Sequence, residues 1–181
     1  MSNYIHPATV EAALRVASNL LPDDYREVTE GHGHDPLNAL VVGFHNCDSV
    51  YFEVPNGEIA GMAGVHNGGQ IWMLCTPAII EYPHTFAREA KRYVKSRKEK
   101  LLWNIVDERN IVHIKLLRFL GFKFLRRFTY GPNNLSFIEF CRVQSSSNRT
   151  SDVSRRLSSV SVPSEQRKRT DVSTSVKSPG T

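Results

Sequence analysis

The stretch from Leu101 to Phe122, LLWNIVDERNIVHIKLLRFLGF, constrains the fold more than any other part of this chain. The apolar run Leu101–Val106 has the length of a buried strand and stops at a polar turn, Asp107–Asn110. Ile111, Ile114, Leu117 and Leu120 then recur at three-residue intervals, with Val112, Leu116 and Phe119 widening the stripe. That period predicts an amphipathic helix. Asn110 can accept hydrogen bonds from the first free helical N–H groups, and Gly121 can adopt the left-handed conformation that ends a helix. An aromatic run, Phe122–Phe128, follows at once. A buried strand, a capped helix and a returning strand therefore form one continuous unit, and the helix must lay its apolar stripe on a sheet.

The rest of the chain extends this pattern. Tyr4-Ile5 reads as a short first strand and Thr9 as the N-cap of a helix that turns Ala12, Ala13, Val16, Ala17 and Leu20 to one face. Pro22–Glu30 and Pro36–Phe44 read as short helices around the loop Gly31-His32-Gly33-His34-Asp35. Ser49–Val54 and Ile59–Val65 flank Pro55-Asn56-Gly57-Glu58, whose Asn-Gly tolerates the positive φ of a tight hairpin. Gly68-Gly69 marks a second turn before the strand Ile71–Cys75. Helix Thr85–Lys98 follows, with Phe86, Ala90, Tyr93 and Val94 inward, and the last strands are Phe122–Phe128 and Ser136–Val143. The expected class is α/β in the α+β sense: a mixed, mostly antiparallel sheet flanked by helices.

Composition separates the chain into two parts. Of 181 residues, 40% are hydrophobic, and the shortfall is concentrated after Gln144. From Ser145 onward there are 12 Ser, four Thr and no aromatic residue, with seven Lys or Arg against three acids. That segment carries a net +4 of the chain's +5, so residues 1–143 form the expected domain and 144–181 an expected disordered basic tail. Its basic clusters suit non-specific DNA contact, and Arg155-Arg156-Leu157-Ser158 has the form of a kinase target. Cys47, Cys75 and Cys141 are too few and too far apart for a disulfide framework or a zinc cage. His32-Gly33-His34-Asp35 lacks the further ligands that would complete a metal site, so none is expected. No apolar run approaches 18 residues, so no membrane partner is expected.

The strand and helix order, with Asn110 and Gly121-Phe122 in the second half, resembles the GNAT acetyltransferase fold across residues 3–143. That resemblance implies an acyl-CoA cleft where the fourth and fifth strands splay apart, with Leu74, Cys75, Thr76, Thr85 and Asn110 as the cofactor-binding residues. The family's pyrophosphate loop runs Pro, two residues, Arg or Gln, two residues, Gly, one residue, then Gly or Ala. Anchored on Pro77, those positions hold Ile80, Pro83 and Thr85. Ile80 offers no phosphate contact, Pro83 has no N–H, and Thr85 intrudes with a side chain. The family's general-acid Tyr falls on Leu117, which cannot protonate a thiolate. Asn104, Tyr82 and His84 are the remaining catalytic candidates, with Cys75 and Tyr130 as further donors.

Within that fold, Trp72–Ala78, Leu102-Trp103-Asn104, Asn110–Ile114, Gly121-Phe122 and Tyr130–Asn134 together resemble GNAT-like internal virion or assembly proteins of short-tailed, podovirus-type phages. This resemblance implies a virion-assembly role without acetyltransferase activity or cofactor. Other virion proteins would be the partners, in the host cytoplasm during assembly and in the virion. The alternative is an N-acyltransferase using acetyl-CoA through an altered pyrophosphate loop.

Overall fold

The computed structural model describes residues 3–144; the expected tail, its DNA contacts and its kinase motif lie outside the described residues. The elements run β1 (Ile5–Pro7), α1 (Val10–Ala17), α2 (Pro22–Arg26), α3 (Pro36–Asn46), β2 (Asp48–Glu53), β3 (Ile59–Val65), β4 (Ile71–Cys75), α4 (Ala78–Glu81), α5 (Pro83–Ser96), β5 (Leu101–Asp107), α6 (Ile111–Phe119), β6 (Lys123–Tyr130) and β7 (Leu135–Val143). Strands β1–β4 pair antiparallel in chain order, and a second antiparallel sheet has the order β5-β7-β6. Mixed α/β architecture with antiparallel strands under helices is thus as expected. Gln144, assigned above to the tail, still belongs to this fold, because its backbone N–H donates to the Lys100 carbonyl at 2.9 Å.

Local signals placed most ends correctly. The Thr9 hydroxyl accepts from Ala12 N–H at 3.1 Å, and the Asn110 side-chain oxygen accepts from His113 N–H at 3.1 Å. Gly121 takes φ 85° just past α6, and Gly57 takes φ 81° in the β2–β3 hairpin. Two elements were not anticipated. The helix expected over Pro22–Glu30 ends at Arg26 and continues as a π-helical turn, Glu27–Gly31, closed by His32 N–H on the Glu27 carbonyl at 2.9 Å. Residues 78–81, expected as loop, wind into the single turn α4.

The main core lies between β2–β5, β7, α5 and α6, with Phe52, Ala63, Val94, Leu102 and Phe140 among its buried residues. A smaller cluster of Ala12, Ala13, Val16, Leu40 and Met62 seats α1 and α3 on the other face of β3. The α6 stripe is rotated from the expected one: Ile111 and Phe119 stand about half exposed, and His113 takes an inward position. The exposed Phe119 ring is covered by the Lys91 ammonium, 4.7 Å from its centroid. Trp103, expected in the core, is 36% exposed and donates its indole N–H to the Gly68 carbonyl.

Candidate functional site

The site arises where the two sheets meet and part. β4 and β5 touch through one parallel bridge, Gln70 with Trp103, with Trp103 N–H on the Gly69 carbonyl at 3.0 Å. One step further, the Asn104 side chain takes over from the ladder. Its amide donates to the Ile71 carbonyl at 2.7 Å, and its oxygen accepts from Ile105 N–H and Gln70. Asn104 is thus a wedge between the strands with both ends of its amide occupied. That is a positioning role, which engages the oxygen and one of the two amide hydrogens.

Beyond the wedge the strands diverge. Thr76 N–H donates to Ala60 O and His66 N–H to Gln70 O, which sets the alternation of the β3–β4 ladder. Leu74, paired with Met62, therefore turns its N–H toward β3. Cys75 N–H donates to the Asp24 carboxylate at 2.7 Å, and its carbonyl accepts from Leu21 N–H. The backbone donors of Leu74, Cys75 and Thr76, expected above as cofactor-binding residues, are all engaged elsewhere. Met73, between them, turns its N–H and C=O into the gap, and sequence reasoning missed it because the parity depends on the register.

The gap opens into a cleft of about 580 Å³. Met73, Asn104 and Val106 line its strand walls, and Leu116, Leu117 and Leu120 its α6 wall. Glu27, His32, His34, Asp35 and Asn38 supply polar groups from the π turn, the following loop and α3. The volume and the mixed lining are those of a small-molecule site. Tyr82 and His84 do not line it, and Tyr82 packs against the core instead. Tyr130 reaches its edge through a T-shaped contact with His32, ring centroids 5.2 Å apart.

The loop that follows β4 closes on itself. Ala78 N–H points to the Thr76 hydroxyl, Ile79 N–H to the Thr76 carbonyl and Ile80 N–H to the Pro77 carbonyl. Tyr82 provides no side-chain cap for α5, and Pro83 occupies its first turn. Only the amides of His84 and Thr85 are left without a helical acceptor at that helix start.

A buried polar cluster adjoins the cleft through Glu27 and His113. Asp24, Asn110 and Asp107 are almost wholly buried. The Asn110 amide donates at 2.9 Å to both the Asp24 and the Glu27 carboxylates while its oxygen caps α6. Burial pushes the Asp24 carboxyl up, opposed by the nearby His113 charge, Cys75 N–H and Asn110. Burial likewise pushes Glu27 up to about 8, against the Asn110 hydrogen bond. His113 also lies in this cluster, with Nε2 3.5 Å from Asp24 Oδ2.

Glu27 gives a pH prediction with a definite sign. From its ordinary 4.5 to about 8, the unfolded chain releases a proton that the folded chain keeps. Stability should then fall as pH rises through that window, by a few kcal/mol at ~1.4 kcal/mol per pH unit. Urea melts in chelator-containing buffer at pH 5 and pH 9 should show this loss, and Glu27→Gln should remove most of it. Equal pH dependence in the two proteins would contradict the burial argument.

No family model and no curated protein sequence matches this chain. Solved structures do. A GNAT-family acetyltransferase from Bacillus anthracis superposes with TM-score 0.59 at 11% identity, covering 77% of this chain and 93% of that one. Spermidine N-acetyltransferase from Vibrio cholerae, in complex with CoA and spermine, gives TM-score 0.56 at 10% identity, over 77% and 94%. Ribosomal-protein-alanine N-acetyltransferase from Brucella melitensis gives 0.54 at 15%, over 77% and 98%. The fold is that of the GNAT acetyltransferases. The phage and virion resemblance finds no counterpart among these structures. No helix among the described residues is long and apolar enough to cross a membrane.

Proposed function

We propose that this chain is an N-acyltransferase that takes its acyl group from a thioester such as acetyl-CoA, held in the cleft between β4 and β5. The carrying observation is the wedge at Asn104, beyond which Met73 presents an N–H and C=O, unpaired among the described residues, to a cleft of about 580 Å³. A pantetheine arm is an extended chain of amides, and such a half-strand edge is what it can pair with. The neighbouring acetyltransferase structures support this reading over virion assembly, for which no observed geometry speaks.

The chemistry asks little beyond positioning. An amine nitrogen attacks the thioester carbon, the C–N bond forms, the C–S bond breaks and the sulfur leaves as thiolate. Glu27 lines the cleft, and its carboxyl at about 8 suits the amine proton. A thiol's ordinary pKa of about 8.5 is close by, so the same carboxyl can return that proton to the sulfur without a large penalty. Glu27 thereby covers the step for which Leu117 is useless.

The diphosphate should contribute little to binding, because the α4 turn consumes its donors. Losing two or three such contacts, at about 1.5–3 kcal/mol each, weakens acetyl-CoA binding by about two orders of magnitude or more. Calorimetric titration of the full chain should show acetyl-CoA and acetyl-pantetheine, which has no diphosphate, binding within about fivefold of each other. Absence of binding by either ligand to the folded protein would overturn the proposal and return attention to assembly partners.

A further inference from the structure

Three side chains that the sequence holds far apart converge beside the cleft: Asp24 from α2, Cys75 from the end of β4 and His113 from α6. One ligand atom from each lies within 4.8 Å of the others. Asp24 and Cys75 are fully buried and His113 is 9% exposed. The His113 Nε2 is buried with no hydrogen-bond partner among the described residues. Its 3.5 Å separation from Asp24 Oδ2 is too long for a good hydrogen bond, which falls at about 2.7–3.2 Å. It is, however, the edge of a zinc tetrahedron: bonds of about 2.0–2.2 Å to nitrogen and oxygen set those two atoms about 3.4 Å apart.

We propose that Asp24, Cys75 and His113 form a zinc site, with three protein ligands and a fourth position for water or a cleft occupant. Imidazole and thiolate donors select zinc and exclude magnesium and calcium, which require oxygen ligands. The charges balance, since one divalent cation offsets an aspartate and a thiolate that burial would otherwise make costly. Binding releases the Cys75 thiol proton to solvent and involves no redox change. The surroundings are those of a supported ligand set. Cys75 N–H holds Asp24 Oδ2 at 2.7 Å and the Asn110 amide holds Oδ1 at 2.9 Å, which orients the carboxylate. His113 also lines the cleft, which gives the ion an entry path.

This site stands apart from the acyl-transfer reading, and its test does not use activity. Full-length protein stripped with a chelator is titrated with Zn²⁺ against a chromophoric competitor, and separately with Co²⁺ by absorption spectroscopy. One equivalent of Zn²⁺ should bind, and the Co²⁺ form should show tetrahedral ligand-field bands with a thiolate-to-metal charge-transfer band. Cys75→Ser should abolish the charge-transfer band. His113→Ala should weaken Zn²⁺ by more than the roughly 10–100-fold caused by losing an outer-shell partner. The proposal is overturned if the folded wild type binds neither ion, or if its Co²⁺ spectrum lacks the thiolate band. It also fails if that band survives in Cys75→Ser, or if His113→Ala binds as wild type does. Should a variant not fold, the wild-type Co²⁺ spectrum decides.

Discussion

Gly69→Ala should destabilise the fold by about 3–5 kcal/mol, whereas Gly68→Ala next to it should cost only about 1–2 kcal/mol. Both residues have positive φ, 90° at Gly68 and 86° at Gly69, so each substitution carries left-handed strain. They differ in what the new Cβ meets. At Gly68 nothing lies within 4 Å, but at Gly69 the Cβ would fall 1.9 Å from the Leu101 carbonyl oxygen. Backbone cannot turn aside as a side chain can, so the start of β5 has to shift. That shift breaks the bond from Trp103 N–H to Gly69 O, the joint from which β4 and β5 diverge. Urea unfolding of the two variants measures the difference. Tryptophan emission reports the joint, since the Trp103 indole bonds the Gly68 carbonyl there. Equal losses in the two variants would show that the close approach at Gly69 does not exist in solution.

The second large effect is expected at Asn110. Asn110→Ala removes the α6 cap, worth about 1 kcal/mol, and leaves the Asp24 and Glu27 carboxylates without their shared donor. At about 1–3 kcal/mol for each buried acceptor stranded, the total loss should be about 3–7 kcal/mol. Asn110→Asp separates the two contributions. Aspartate caps a helix as well as asparagine does, yet it brings a third carboxylate in place of the amide donor. At neutral pH it should be at least as damaging as alanine, and acidification should relieve the damage as the carboxyls take up protons. Wild-type stability of Asn110→Asp at pH 7 would mean that the amide donor holds nothing together.

These two residues also show where reading the sequence succeeds and stops. Asn110 was legible as a helix cap because its acceptor role involves His113, three residues on. Its other face, bonded to Asp24 and Glu27, was invisible because nothing local relates residue 110 to residues 24 and 27. Gly68 and Gly69 read alike as turn residues, and only the crossing of β5 makes one of them indispensable. Met73 reads as one more apolar residue in a strand, and its open backbone follows from the register of a ladder.

By itself the sequence determined what short-range physics controls. Caps, left-handed glycines, hairpin turns and apolar periods set the order of strands and helices, and with it the GNAT-like frame. It also determined that neither Ile80 nor Pro83 brings a hydrogen-bond donor of its own to the turn before α5, because the apolar side chain of the one and the missing N–H of the other are properties of the residues themselves. Tertiary structure alone decided the chemistry of the cleft. It turned His113 inward while leaving Ile111 and Phe119 exposed, set the Asn104 amide against the Ile71 carbonyl, engaged Cys75 N–H, and drew Asp24, Cys75 and His113 together. Burial and convergence raise or lower proton affinities and assemble ligands, and both depend on neighbours that the chain brings from elsewhere.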